Sequence, residues 1–340
     1  MSGSRHDALL VDLDGTVYAG PTAIPGAVEA LEAARDRGQT VSYVTNNASR
    51  APGAVAGHLS ELGLTVTEDD VVTSAQAGAA VLAAQVDPGA KVLVLGTDAL
   101  ADEITAVGLT PVRADDDGPV AVVQGHSPET GWRQLAEAAL TLARGALWVA
   151  CNVDPTLPSE RGLLPGNGSM VAALRHASRR EPQVAGKPAA PLLRQAMERV
   201  SSSTPLVVGD RLDTDIAGGH AIDAESLLVL TGVSTPADLL AAPADQRPTF
   251  VAADLAALTD PEAVRVRADD GWTAKVRDDG SLELATGGPG GDPDARVAAL
   301  RALCASHWDA VGDATRTPVV HGADDAARRM ISALGLDAGR

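Results

Sequence analysis

The sequence predicts an α/β protein built on a parallel sheet, and three observations carry that prediction. Strand-like and helix-like patterns alternate along most of the chain, which favours parallel strands joined by crossover helices. Three apolar runs each end abruptly in a polar cluster, as in open sheets whose ligands bind beyond the carboxyl ends of the strands. Hydrophobic residues make up 45% of the 340, yet aromatics only 2%, so the cores must be built from Ala, Val and Leu. At roughly 100–200 residues per domain, this length predicts two or three domains.

The first strand is the apolar run Ala8-Leu9-Leu10-Val11, followed by a helix over 26–37, a strand over 40–44 and a helix over 51–62. A second alternating block starts near Ala90. It has a strand over 91–95, a helix over 98–107, a strand over 120–123, a helix over 130–143 and a strand over 146–149. Gly96-Thr97-Asp98 reads as an ordinary turn. A helix over 189–200 follows Gly186-Lys187-Pro188, with proline near its first turn, where it is tolerated. The third apolar strand is Pro205-Leu206-Val207-Val208. From about Pro261 the pattern changes: Trp272 to Val276, a turn at Asp278-Asp279-Gly280, and Leu282-Glu283-Leu284 read as a hairpin. The glycine-rich run Gly287-Gly288-Pro289-Gly290-Gly291 comes next. A helix then begins at Asp292, with its inner face at Val297, Leu300, Leu303, Cys304, His307 and Val311.

The polar clusters at the strand ends carry the chemistry. The first strand ends in Asp12-Leu13-Asp14-Gly15-Thr16, the second in Thr45-Asn46-Asn47, the third in Gly209-Asp210-Arg211-Leu212-Asp213-Thr214-Asp215. Strand alternation points the side chains of Asp12 and Asp14 apart, but the turn that begins there can swing both into one crevice. Two carboxylates so placed can hold a hard divalent cation and leave one oxygen to attack phosphorus. Hydroxyl and amide donors, a lysine and a further acidic cluster complete the parts that phosphoryl transfer needs. Only three lysines occur, Lys91, Lys187 and Lys275, so a lysine within this motif order is informative.

These four motifs, in this order, resemble those of the haloacid dehalogenase superfamily of phosphatases. The resemblance is nearest to its members with a large α/β cap, the p-nitrophenyl-, phosphoglycolate- and pyridoxal-phosphatase-like enzymes. Longer signatures support it: Val44 to Ser49, Asn152-Val153-Asp154 with Pro165-Gly166-Asn167-Gly168-Ser169, Gly209 to Ile216, and Leu228 to Val233. Within that group the chain looks most like actinobacterial-type glycerol-3-phosphate phosphatases, which share a long C-terminal extension. The implied architecture is a Rossmann-like parallel-sheet core over 1–82 and 182–260, an inserted α/β cap over 83–181 that sets specificity, and a small α+β extension over 261–340.

The resemblance also implies roles. Asp12 attacks phosphorus and becomes an aspartyl-phosphate, dividing hydrolysis into two easier steps. Asp14 protonates the leaving alkoxide and then deprotonates the attacking water; against an ordinary Asp value near ~3.9, that requires a raised pKa. Thr45 and Asn46 hydrogen-bond the phosphoryl group, and Lys187 adds positive charge. Mg²⁺ is held by Asp12, the backbone carbonyl of Asp14, and Asp210, while Asp215 orients a metal water or Lys187. Asp213 is read as local structure. Asn47, Asn152 and Asp154 contribute to substrate binding, and the loop 166–169 can lie close to the phosphate. His126 occupies a cap loop where these enzymes often carry an acidic residue. The implied reaction is Mg²⁺-dependent hydrolysis of a small phosphate ester: glycerol 3-phosphate first, with phosphoglycolate, pyridoxal phosphate and sugar phosphates as alternatives.

The glycine-rich run after a hairpin strand looks a little like the coenzyme A loop of Gcn5-type acetyltransferases. A regulatory module that binds coenzyme A is therefore the alternative from another class, although the extension is about half the usual length of such a domain. A structural or subunit-contact role is the expectation. A formal charge of −18 argues against nucleic acid or an anionic membrane as partner, since both require a basic face. Cap-mediated dimers occur among the relatives, which leaves a homo-oligomer open. Cys151 and Cys304 show no paired spacing and read as small buried residues in a reducing cytoplasm. Because Cys151 adjoins Asn152, a thiol reagent could inhibit indirectly. No signal-peptide pattern is present over 1–14, and no apolar run approaches the ~20 residues that span a bilayer. Cytoplasm is the expected location.

Overall fold

The structure is a computed structural model that describes residues 5–159, 161–267, 271–286, 293–312 and 318–337. The chain divides into two compact units, Met1–Val41 with Ser202–Arg340, and Ser42–Ser201.

In the first unit, four parallel strands lie in the order Phe250–Ala252, Glu225–Val229, Pro205–Gly209, Ala8–Val11. Ala8–Val11 and Pro205–Gly209 are buried along their whole length, as expected of parallel strands covered on both faces. Their register pairs Ala8 with Pro205 and Val11 with Val208. One residue further, the backbone N–H of Asp12 donates to the carbonyl of Val208 at 2.8 Å. Residues that follow the two strands therefore emerge side by side at one edge. The helix Ala27–Asp36 lies within the predicted 26–37.

The C-terminal segment belongs to this unit. Thr273–Val276 and Leu282–Ala285 form the predicted antiparallel hairpin, and Gly280, with φ +79°, takes the left-handed turn position. Val320–Gly322 adds a third strand parallel to Leu282–Ala285. The helix Pro293–Val311 buries Val297, Leu300, Leu303, Cys304 and His307, the face read from the sequence. The glycine-rich run 287–291, Asp292 and the side chain of Val311 lie outside the described residues.

In the second unit, Tyr43, Val44 and Thr45 of the strand Thr40–Thr45 pair in parallel with Val71–Thr73. A separate five-stranded sheet, parallel throughout, runs in the order Gln183–Val184, Leu147–Ala150, Ala121–Gln124, Lys91–Leu95, Thr110–Val112. Helices Asp98–Ala106, Trp132–Ala143 and Asn167–Ser178 accompany it. Leu93, Leu95, Val122, Leu142, Trp148 and Val171 form its buried core. The hairpin Thr156–Ser159 with Gly162–Pro165 is not anticipated by the sequence pattern, because its leucines, Leu157, Leu163 and Leu164, show no alternation and are all exposed. The helix predicted over 189–200 spans Ala190–Arg199, and the proline of its first turn is Pro191. Lys187 and Pro188 precede it in a turn. Among the described residues, no helix is long and apolar enough to cross a membrane.

Candidate active site

In the first unit, the turn after Ala8–Val11 folds tightly on itself. Val17 donates to the carbonyl of Leu13 at 2.8 Å and Gly15 to that of Tyr18 at 2.8 Å. Gly15 adopts φ +86°, and a Cβ there would lie 2.6 Å from Oδ2 of Asp210. Only glycine allows that approach. The hydroxyl of Thr231 donates to the carbonyl of Gly15 at 2.6 Å. Asp210 is itself held firmly: Val233 donates its N–H to Oδ2 at 2.6 Å, and Ser234 its N–H to the Asp210 carbonyl at 3.2 Å. A Cβ on Gly232 would meet Asp210 Oδ2 at 2.0 Å, so this second loop also presses its backbone against the carboxylate.

Asp12, Asp210 and Asp215 converge, with one carboxylate oxygen from each lying within 4.8 Å of the others. Asp210 and Asp215 are fully buried and Asp12 half-buried. Three like charges so close in a poorly solvated pocket repel one another unless a cation sits among them. An all-oxygen donor set fits a hard divalent cation such as Mg²⁺. The convergent set includes the carboxylate of Asp215, to which the sequence assigned an orienting role, while the side chain of Asp14 is exposed. Asp215 sits on the π-helical turn Leu212–Ile216, and its Oδ2 accepts the N–H of Arg211 at 3.1 Å. The Arg211 guanidinium forms a two-pronged pair with Asp213 at 3.0 and 2.8 Å, and Asp213 points to solvent.

In the second unit, Asn46 is the hub. Its Oδ1 accepts the N–H of Lys187 at 2.8 Å, and its Nδ2 donates to the Lys187 carbonyl at 3.0 Å and to Oδ2 of Asp154 at 3.1 Å. Its backbone carbonyl accepts from Ser74 Oγ at 2.6 Å and Asn152 Nδ2 at 2.7 Å. Both amide hydrogens are thus used within the unit, so the side chain acts as a clamp on the lysine turn. Gly186 is required beside it: a Cβ there would lie 2.6 Å from Asn46 Oδ1 and 2.4 Å from the carbonyl of Cys151. Lys187 is 2% exposed, and its Nζ donates to the carbonyl of Val44 at 3.2 Å. Thr45, buried at the strand end, accepts the N–H of Asn47 at 3.1 Å. Asn47 Oδ1 accepts from Ser49 N at 2.7 Å, and Ser49 Oγ donates to the carbonyl of His126 at 2.7 Å.

The structure therefore brings Asn46, Asn152, Asp154 and Lys187 into one network, and adds Asn167, which the sequence did not single out. Asn167 Nδ2 donates to the carbonyls of Asn152 at 2.7 Å and Gln124 at 3.3 Å, tying two strand ends to the start of its helix. Gly168 makes this possible, since a Cβ there would lie 2.1 Å from the carbonyl of Val153. The available signal was the pair of glycines around Asn167. Ser74, Thr231 and Val233 were also missed; the last two lie in a stretch matched as a signature without a role. Cys151 is buried and free, and burial pushes its thiol up to about 12.

Comparison with known proteins agrees with these motifs. Residues 9–110 match the haloacid dehalogenase-like hydrolase family, and 184–258 match a second HAD-hydrolase-like family. Residues 269–336 match the GCN5-related N-acetyltransferase like domain. The chain is 49% identical over 338 residues to the D-glycerol 3-phosphate phosphatase of Mycobacterium tuberculosis, covering 98% of this chain and 95% of that one. It is 36% identical over 237 residues to an acid sugar phosphatase of Staphylococcus saprophyticus, covering 69% and 90%. Among solved structures, a glycerol phosphate phosphatase of Mycobacterium tuberculosis in complex with magnesium superposes with a TM-score of 0.91 at 49% identity, covering 98% of both chains. A p-nitrophenyl phosphatase from Archaeoglobus fulgidus gives 0.69 at 31% identity, covering 74% and 98%. With its carboxylates and its lysine turn set on parallel-strand ends, and a relative this similar along nearly its whole length, the chain belongs to the haloacid dehalogenase-like hydrolases.

Proposed function

We propose that this chain is a Mg²⁺-dependent phosphomonoesterase that hydrolyses glycerol 3-phosphate to glycerol and phosphate. The observation that carries the reading is the convergence of Asp12, Asp210 and Asp215 beyond the ends of neighbouring parallel strands. The near full-length similarity to a D-glycerol 3-phosphate phosphatase supports the substrate.

The carboxylates of Asp12 and Asp210, with the Asp14 carbonyl, are the proposed metal ligands, and Asp215 completes the anionic pocket. Held there, Mg²⁺ would supply positive charge to offset that of the phosphoryl group. A carboxylate oxygen of Asp12 forms a bond to phosphorus as the bond to the glycerol oxygen breaks, and Asp14, whose side chain is exposed, gives that oxygen its proton. Water then attacks the same phosphorus, its proton passes to Asp14, and the bond to Asp12 breaks. Thr45 donates to a phosphoryl oxygen and Lys187 offsets its charge. Asn46 acts indirectly, by fixing Lys187 and Asp154. Asn47, Asn152 and Asp154 are proposed to select the alcohol portion. The protein is placed in the cytoplasm, where phosphorylated metabolites occur.

The test is phosphate release with Mg²⁺ from glycerol 3-phosphate, phosphoglycolate, pyridoxal phosphate and several sugar phosphates, run beside Asp12→Asn. Preference for glycerol 3-phosphate, absent in the variant, supports the reading. The similarity to acid sugar phosphatases favours sugar phosphates as the second possibility, and the same panel decides it. Wild-type release no greater than that of Asp12→Asn on every ester would overturn the phosphatase reading.

A further inference from the structure

We infer that the C-terminal extension is a positioning element for the buried carboxylate Asp210. The inference rests on the metal-dependent reading above and extends it to a part of the chain with no assigned role. The extension does not stand apart from the sheet that carries the acidic cluster. Leu282, Leu300 and Leu303 share one continuous apolar core with Leu212, Ile216 and Leu228. Leu212 and Ile216 are the first and last residues of the π-helical turn that bears Asp215. Leu230, which enters the loop over Asp210, packs against the same core.

The contact is also direct. The helix Pro293–Val311 packs on the short helix Pro236–Leu240 and on the strand Phe250–Ala252. Thr235 caps that short helix by accepting the N–H of Asp238 at 3.2 Å. The two residues before it, Val233 and Ser234, are the ones that donate to Asp210, and Ser234 Oγ also accepts the N–H of Leu212 at 3.0 Å. Two polar ties fix the extension against this wall. Arg301, 6% exposed, donates to the carbonyl of Val251 at 2.9 Å. Arg247 lies 5.4 Å over the ring of Trp308 and donates to the carbonyl of Gly312. Loosening the extension therefore frees the helix 236–240, and with it the backbone donors that aim Asp210. Close packing leaves such a displacement little room to dissipate before it reaches the carboxylate.

The experiment uses the full-length protein with Leu300→Ala, the milder Leu300→Val in case alanine prevents folding, and Leu142→Ala in the core of the other unit as a control for destabilisation alone. Two readouts are taken: Mg²⁺ affinity by calorimetry, and hydrogen exchange over 210–216 and 230–234 in metal-free protein. The expected result is Mg²⁺ affinity weakened about tenfold by Leu300→Ala, as for partners that orient a ligand, with faster exchange at Val233. Leu142→Ala should change neither. Unchanged affinity and unchanged exchange in a folded Leu300 variant, or equal effects from Leu142→Ala, would overturn the inference. If wild-type protein binds no Mg²⁺, the metal-dependent reading fails, and the exchange data alone decide whether the extension holds the Asp210 loop.

Discussion

Gly15 and Asp210 come so close that a single carbon added to Gly15 would lie 2.6 Å from the Asp210 carboxylate. The two residues stand 195 positions apart in sequence yet are fixed by the register of two parallel strands. Gly15→Ala must therefore both strain a left-handed turn, at about 1–2 kcal/mol, and push Asp210 from its place. Activity should fall about 100-fold, the scale of a misplacement near 1 Å, with a lowered melting temperature and weakened Mg²⁺ binding. Steady-state kinetics and calorimetry check this, and near wild-type turnover would show that the approach is not needed.

Asn46→Asp tests the clamp on the lysine turn. The new carboxylate can still accept the N–H of Lys187, but it cannot donate to the Lys187 carbonyl or to Asp154, now a like charge about 3 Å away. Two facing carboxylates share a proton readily, and that proton restores one hydrogen bond at acid pH. The variant should lose activity at neutral pH and recover part of it, relative to wild type, as the pH falls. Asn46→Ala should show the loss without the recovery. Identical pH profiles for the two variants would remove Asp154 from the argument.

What could be read in the sequence followed from local physics. The fully buried strands Ala8–Val11 and Pro205–Gly209 appear as short apolar runs, and their chemistry appears as the polar residues that end them. Strand order could not be read, because it depends on pairing between distant segments. The strand Val71–Thr73 is too short to show a period. The helix Ser74–Ala83 is so uniformly small and apolar that no face stands out, and only the Thr73–Gln76 capping box marks its start. Asn167 lay within a recognised signature, but its task could not be read there: it bridges two carbonyls, and backbone acceptors leave no trace in sequence. The role of Asn46 was half legible, since its motif was evident but the commitment of its amide to Lys187 was not.

The thiol beside the substrate loop is predicted to be inert. Burial pushes Cys151 up to about 12, so at pH 8 only roughly one molecule in ten thousand carries the reactive thiolate. Cys304 is buried and shifted in the same direction. Iodoacetamide should leave native activity unchanged and label both cysteines once urea unfolds the chain. Rapid native labelling with loss of activity would show that the segment 151–154 opens readily.

Acid stability should depend on a staple at the far end of the same two strands. Asp7 precedes Ala8–Val11 and accepts the N–H groups of Ser203 at 2.9 Å and Thr204 at 3.2 Å, just before Pro205–Gly209 begins. Desolvation alone would raise its carboxyl, but hydrogen bonds from Ser202, Ser203 and Thr204 outweigh it and bring this exposed group from 3.8 down to about 2. Arg265 likewise draws Glu262 down to about 2. A carboxylate whose pKa is lower in the folded state stabilises the fold above its unfolded value and loses that contribution as pH falls through the folded one. The window for Asp7 therefore runs from about pH 4 to about pH 2. Asp7→Asn keeps an acceptor but cannot titrate, so its melting temperature should drop less steeply across this window, while at pH 7 it should melt below wild type. Parallel slopes in thermal melts at pH 4, 3 and 2 would mean that Asp7 does not set the acid limit, leaving Glu262 and its pairing with Arg265 to be tested by the same melts on Glu262→Gln.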